Sequence, residues 1–267
     1  MHPIERLRYV ARASGADPAL LAQETAAALA ALADEPGALV PSCRRLVDRH
    51  PTNGPLWSLV ARVLTSAEPV KEARRVVAEL DADPTAGILA AELPEDATVV
   101  LIGWPDVAAT AVRRRGDIET LIVESGGEGG QLAHRLASGD NEAVAVPDAG
   151  MAAATVVADL VLLEALAGGP SGILAAAGSH ACAAVARLRG VPVWAVAGSG
   201  RVLPARLWEA MLGRLDDRGD EPWDRAAELV PAALLDAVVD PAGFEAGLAG
   251  LDRASCPVAP ELLRRAG

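Results

Sequence analysis

The chain has 267 residues, with 24 Lys plus Arg against 36 Asp plus Glu and a formal net charge of −12. That balance excludes a nucleic-acid binder, because counterion release needs a row of cations facing the phosphates. Apolar residues make up 51% of the chain while Phe and Tyr occur once each, so the core is expected to be Ala, Val and Leu, and disorder is excluded.

Lys71 is the single lysine, so any lysine base or Schiff base has one position open to it. Cys43, Cys182 and Cys256 are widely spaced and form no CxxC, which predicts free thiols in a reducing compartment. The opening stretch MHPIERLRYVARASG lacks the basic-then-apolar order of a signal peptide, and no apolar run is long enough to span a bilayer. The expectation is a cytoplasmic protein that needs neither a metal nor a cofactor and binds neither membrane nor nucleic acid.

In chain order, residues 3 to 92 read as helical throughout. Asp17 and Pro18 open one helix as N-cap and first residue, and Leu20, Leu21, Ala27, Leu29 and Leu32 recur at helical spacing. A second carries Leu39, Val40 and Leu46, and the run from Pro51 to Pro55 interrupts it before Leu56, Leu59, Val60, Val63 and Leu64 resume. A third starts near Glu68-Pro69 and runs through Val77 and Leu80. Residues 1–92 are thus expected to form a small helical domain.

Past Leu93-Pro94 short β-branched runs alternate with helical stretches, the pattern of βα units. The expected strands are Ala97 to Gly103, Thr120 to Glu124, Glu142 to Val146, Leu160 to Glu164 and Val191 to Ala197, each apolar on both faces as in a sheet covered by helices on both sides. Residues 93–267 therefore read as an α/β domain, a Rossmann-like doubly wound parallel sheet with its ligand at the strands' carboxyl ends.

Those ends carry Gly103-Trp104, Glu124-Ser125 leading into Gly126 to Gly130, Asp148, Glu164, and Ala197-Gly198. Clustered carboxylates can serve as acid and base or accept sugar hydroxyls; the alternative is that Asp148 caps the next helix and Glu164 is a solvated loop residue. The loop from Gly126 to Gly130 offers backbone N–H groups to a phosphate at a helix N-terminus, although Glu128 opposes an anion there. Gly178-Ser179-His180 opens another helix with small residues and a histidine able to donate to an anion or shuttle a proton. Trp57 and Trp194 lie in apolar periodic stretches and read as packing residues, whereas Trp104, at a strand end, can wall the cleft. Cys182 and His180 share one helical turn and cannot face each other as a nucleophile pair.

The segment from Asp148 to Ala197 resembles the regulatory (alpha, beta, delta) subunits of translation initiation factor 2B and their relatives, the methylthioribose-1-phosphate and ribose-1,5-bisphosphate isomerases. That family has a strand ending in Asp, a short helix, a strand ending in Gly-Ala-Asp/Glu, a loop with Asn-Lys-x-Gly-Thr, and a helix leading into a strand. His50-Pro51-Thr52 is similar to its Arg-Pro-Thr segment, Glu124-Ser125 to its Glu-Ser-Arg-Pro, and Glu228 to Pro231 and Pro257 to Leu262 to its C-terminal elements. The order holds over nearly the whole length.

The resemblance implies a helical domain followed by a Rossmann-like one, and a homodimer formed through the latter. It also implies that the isomerase chemistry is missing: the catalytic cysteine falls near Gly103 and the acid on Leu166. The phosphate-contacting cations fall on His50, Gly126 and Ala176, while Gly178 and Ser179 keep the Gly-Thr position. A general acid or base contributes on the order of a hundred- to ten-thousand-fold, and each lost charge-assisted bond roughly 1.5 to 3 kcal/mol. The expectation is a non-catalytic relative that binds a small metabolite, a sugar phosphate or nucleotide, or a partner protein; the acidic cleft points to a more neutral or cationic ligand than a bisphosphate. The rival is an aldose-ketose sugar-phosphate isomerase that has rebuilt its site from Asp148, Glu164 and His180.

Overall fold

The computed structural model describes residues 18–32, 36–139, 141–216, 219 and 221–264. Among the described residues four helices come first: α1 (Pro18–Ala30), α2 (Pro36–Arg49), α3 (Gly54–Thr65) and α4 (Pro69–Asp81). Asp17, the expected cap of α1, lies outside the described residues. The break around Pro51 is real: Asn53 caps α3 by accepting the Leu56 N–H at 2.9 Å, and Pro55 occupies the first turn, where no backbone donor is missed. A further helix, α5 (Thr85–Glu92), starts behind Asp83, whose carboxylate accepts the Thr85 N–H at 3.0 Å and, from across the fold, the Ser199 N–H at 2.7 Å.

Ten strands follow among the described residues. They are β1 (Thr98–Ile102), β2 (Glu119–Val123), β3 (Glu142–Val146), β4 (Leu160–Glu164), β5 (Ala167–Gly169), β6 (Gly172–Ala176), β7 (Val193–Val196), β8 (Ala227–Pro231), β9 (Ala237–Asp240) and β10 (Gly243–Ala246). Helix α6 (Asp106–Arg113) follows β1, α7 (Gly129–Ala137) follows β2, α8 (Met151–Val157) follows β3, α9 (Ser179–Arg189) follows β6, and α10 (Ala205–Asp216) follows β7. The main sheet has seven strands in the order β10-β9-β7-β4-β1-β2-β3, parallel except for the β9–β10 hairpin. The chain winds outward from β1 to β3 and then from β4 to β9 on the other side, so the winding reverses between β1 and β4.

Each of the five expected strands lies within two residues of its predicted limits. Two features differ. β3 is an edge strand, and Glu142, Val144 and Ala145 are exposed, because no strand lies beyond it and α8 is too short to cover it. A second, three-stranded antiparallel sheet, β5-β6-β8, is separate from the main one, and none of its strands is among the five expected.

Three apolar clusters hold these layers together. One joins α1 to α4 with α10 and with Cys256, Ala259 and Leu262, so the helical layer is completed by residues from far along the chain. α5 packs instead with β1, α6 and α7 on one face of the sheet, and α8 and α9 cover the other face. Trp57 is fully buried in the helical cluster, and Trp194 packs its ring 4.7 Å from that of Phe244. Helical layer and sheet meet tightly at Gly54, whose N–H donates to the Leu166 carbonyl at 3.0 Å and where a Cβ would stand 2.8 Å from that same oxygen. Only glycine lets the two backbones approach this closely.

Candidate functional site

A cleft of about 710 Å³ opens at the carboxyl ends of β1 and β4, where the winding of the sheet reverses and a ligand is expected in open α/β sheets. His50, Thr52 and Asn53 of the helical layer form one wall; Gly103 to Asp106, Ser125, Gly126, Glu128, Gln131, Arg135, Glu164, Leu166, Ala176 and Ser179 form the rest. Gly103 ends β1 at φ +65, a left-handed turn that glycine adopts without strain and that swings Trp104 toward the cleft.

Of the sequence-selected residues, Gly103, Trp104, Ser125, Gly126, Glu164 and Ser179 line this cleft. Glu124 and Gly130 do not; they are bonded to each other. The Glu124 carboxylate accepts the Gly129 and Gly130 N–H groups, both at 3.1 Å, and these two bonds hold its pKa below the usual carboxylate value. The glycine loop that offered its N–H groups to a phosphate is thus capped by a carboxylate of its own strand. Gly178 is the left-handed N-cap of α9 and lies outside the lining.

Asp148 and His180 are exposed and absent from the cleft wall. Asp148 accepts the N–H of Ala149 at 2.8 Å in the one-turn helix Asp148–Gly150, and the His180 backbone N–H donates to Glu228 at 2.8 Å. The set Asp148, Glu164 and His180 is therefore not assembled in one pocket.

The Glu164 side chain is largely buried, at 8% exposure, and is not that of a solvated loop residue. One carboxylate oxygen lies 2.9 Å from the Arg201 guanidinium, and the other accepts the Val107 and Ala108 N–H groups at 2.8 and 3.0 Å, capping α6. Arg201, which is buried, also donates to the Ala165 carbonyl at 2.6 Å. With one oxygen on a guanidinium and the other on a helix end, the Glu164 carboxylate is placed as a structural anion, an arrangement that disfavours general acid or base work.

Three contributors escaped the sequence reading. Arg201 comes from the loop after β7, and nothing in its own surroundings announces a carboxylate on β4. Gln131 and Arg135 lie one helical turn apart on α7, an i,i+4 pair right after the glycine loop, and that spacing is the signal that places both on one face. The Arg135 guanidinium stacks 5.6 Å from the Trp104 ring, so the cleft keeps a cation that the motif comparison did not supply.

Cys43 and Cys256 are buried thiols pushed up to about 12, chiefly by loss of solvent, and Cys182 is buried against Thr155 with its pKa also raised by burial. None is an activated nucleophile. Among the described residues no group of three or more His, Cys, Asp or Glu side chains converges to hold a metal, and no helix is long and apolar enough to cross a membrane. A second groove of about 560 Å³ beside α4 contains Arg62, which is paired with Glu72 and Glu79 at 2.6 and 2.5 Å.

No protein-family model and no curated protein matches the chain. Solved structures do. The translation initiation factor eIF-2B of Pyrococcus horikoshii OT3 superposes with a TM-score of 0.73 at 17% identity, over 93% of this chain and 98% of that one. A chain of the tetrameric eIF2B-beta2-delta2 complex from C. thermophilum gives 0.75 at 15% identity over 94% and 92%. The eIF2B beta of Chaetomium thermophilum gives 0.70 at 14% over 91% and 88%. At these identities the likeness establishes the fold alone: the chain shares the architecture of these initiation factor 2B structures over 91–94% of its length.

Proposed function

We propose that this protein is a non-catalytic, cytoplasmic relative of the initiation factor 2B regulatory subunits that binds a small metabolite in the β1/β4 cleft and works as part of an oligomer. The observation that carries this reading is the state of the cleft's acidic groups: it is concave, walled by an aromatic ring and polar side chains, yet its most buried carboxylate, Glu164, is spent on an ion pair and a helix cap. A cleft of this kind recognises and does not turn over.

The partner face in this reading is the open side of the sheet. Val144 on β3 is 50% exposed, and Val156 and Val157 on α8 are 42% and 67% exposed. A second copy of the chain, or a related subunit, would cover them, in keeping with the beta2-delta2 assembly of the C. thermophilum structure. The test is a thermal-shift screen of the purified protein against unphosphorylated and phosphorylated sugars and nucleosides, with product analysis. A saturable shift without turnover is expected, about 2.7 kcal/mol at a hundred times the dissociation constant. Isomerisation of any sugar phosphate, at a rate that survives removal of contaminating enzymes, would sink the non-catalytic reading.

A further inference from the structure

Glu128, Gln131 and Arg135 follow one another at spacings of three and four residues from the N-cap of α7 onward, so they form a single stripe, and all three line the β1/β4 cleft. At 1.5 Å of rise per residue the stripe is roughly 10 Å long, with a carboxylate at one end, an amide between and a guanidinium at the other. Among the described residues that line the cleft, Arg135 is the single guanidinium, and no carboxylate lies within ion-pair distance of it. Its neighbour is the Trp104 ring, whose centroid is 5.6 Å from the guanidinium carbon. A ring holds the charge at the cleft wall without consuming its N–H donors. Other arginines are spent inside the chain: Arg201 on Glu164, Arg62 on Glu72 and Glu79, and Arg214 on Asp48.

We propose that Arg135 is the anion receptor of the cleft and that its ligand is a hydroxylated monocarboxylate, a sugar acid, with the carboxylate on the guanidinium and the hydroxyls along Gln131 and Glu128. The proposal rests on the reading of the cleft as a metabolite site and names the class of ligand. Charge decides that class. Asp106 and Glu128 line the same cleft, while Glu164 is neutralised by Arg201. A phosphate ester, with nearly two negative charges at neutral pH, thus meets one cation and two acids. A single carboxylate meets a planar fork that matches its two oxygens, and a neutral sugar leaves that fork without an acceptor. The far end suits hydroxyls: Glu128 accepts their hydrogens, Gln131 both donates and accepts, and Thr52 and Ser125 add hydroxyls of their own. An open-chain sugar acid spans most of the stripe.

Calorimetric titration of the full chain with gluconate and ribonate, against glucose and glucose 6-phosphate, tests this. The wild type should bind at least one of the acids, at least about tenfold tighter than either comparator. Arg135→Ala should weaken that acid about ten- to a hundredfold without changing the response to glucose, and Arg135→Lys, which keeps the charge but loses the fork, should recover only part of the loss. Trp104 acts through Arg135 as a positioning residue. Trp104→Leu should therefore weaken acid binding about fivefold in the wild-type background and have little further effect in Arg135→Ala, while Trp104→Phe, which keeps a ring, should retain most of the affinity.

Acid binding that survives Arg135→Ala, or a preference for glucose or for the phosphate ester, overturns the assignment and leaves the metabolite reading standing. Binding of none of the four compounds also overturns it, and the wider screen of nucleosides then decides the metabolite reading by itself.

Discussion

The carboxyl ends of β1 and β4 and the outer edge at β3 belong to one sheet and are built from similar apolar strands, yet they are finished differently. At the centre, Glu164 is bonded to Arg201 and to the first N–H groups of α6, and Glu124 closes α7 in the same way. At the edge, Val144, Val156 and Val157 stand in solvent beside a strand with no outer neighbour. The difference teaches how each region meets its own requirements. The centre satisfies its polar groups internally, whereas the edge leaves apolar side chains in water, the face that the proposed oligomer would cover.

The sharpest way to break the comparison is at Arg201. Replacing it with alanine strands a buried Glu164 carboxylate, and the expected loss is about 3–5 kcal/mol of unfolding free energy in urea. A loss below about 1 kcal/mol would mean that the central pair is not the structural clamp described.

A smaller effect belongs to Glu124. Its folded pKa lies below the unfolded one, so its contribution is complete above the ordinary carboxylate pKa of about 4.3 and is lost as pH falls through the lower folded value. Denaturation curves of the wild type and Glu124→Gln should therefore converge as the medium is acidified through this window. A gap that widens instead has the wrong sign for a cap.

The smallest effect on folding is expected at the edge. Val157→Asp should change monomer stability by no more than about 0.5 kcal/mol while shifting sedimentation equilibrium toward the monomer. An unchanged mass would show that this face is not where the second copy sits.

The sequence carried the fold further than the site. β1, β2 and β4 were legible because buried parallel strands are unbroken apolar runs, and β3 was legible as a strand because it copies that composition. Its exposure was not, since position in a sheet is decided by topology and not by the strand's own residues. β5 and β6 escaped because Gly168, Gly169 and Gly172 read as loop, although at Gly169 a Cβ would stand 2.4 Å from Trp208 and the glycine is needed for packing. At the cleft, residue types pointed to strand ends that line it, and Trp104 lies on its wall. Glu164 with Arg201, and Glu228 with His180, were invisible because each contact spans dozens of residues and exists only once the sheet is formed.

Arg214, on α10, has a wider consequence. It bonds Asp48 on α2 at 2.6 Å, stacks over Trp57 on α3, and donates to the carbonyls of Leu262 and Arg264. Helices made early in synthesis are thereby locked by residues made much later. While the ribosome is still at work the first four helices lack their counterpart, and their apolar stripes must wait in contact with water or with a chaperone until residues beyond 255 emerge.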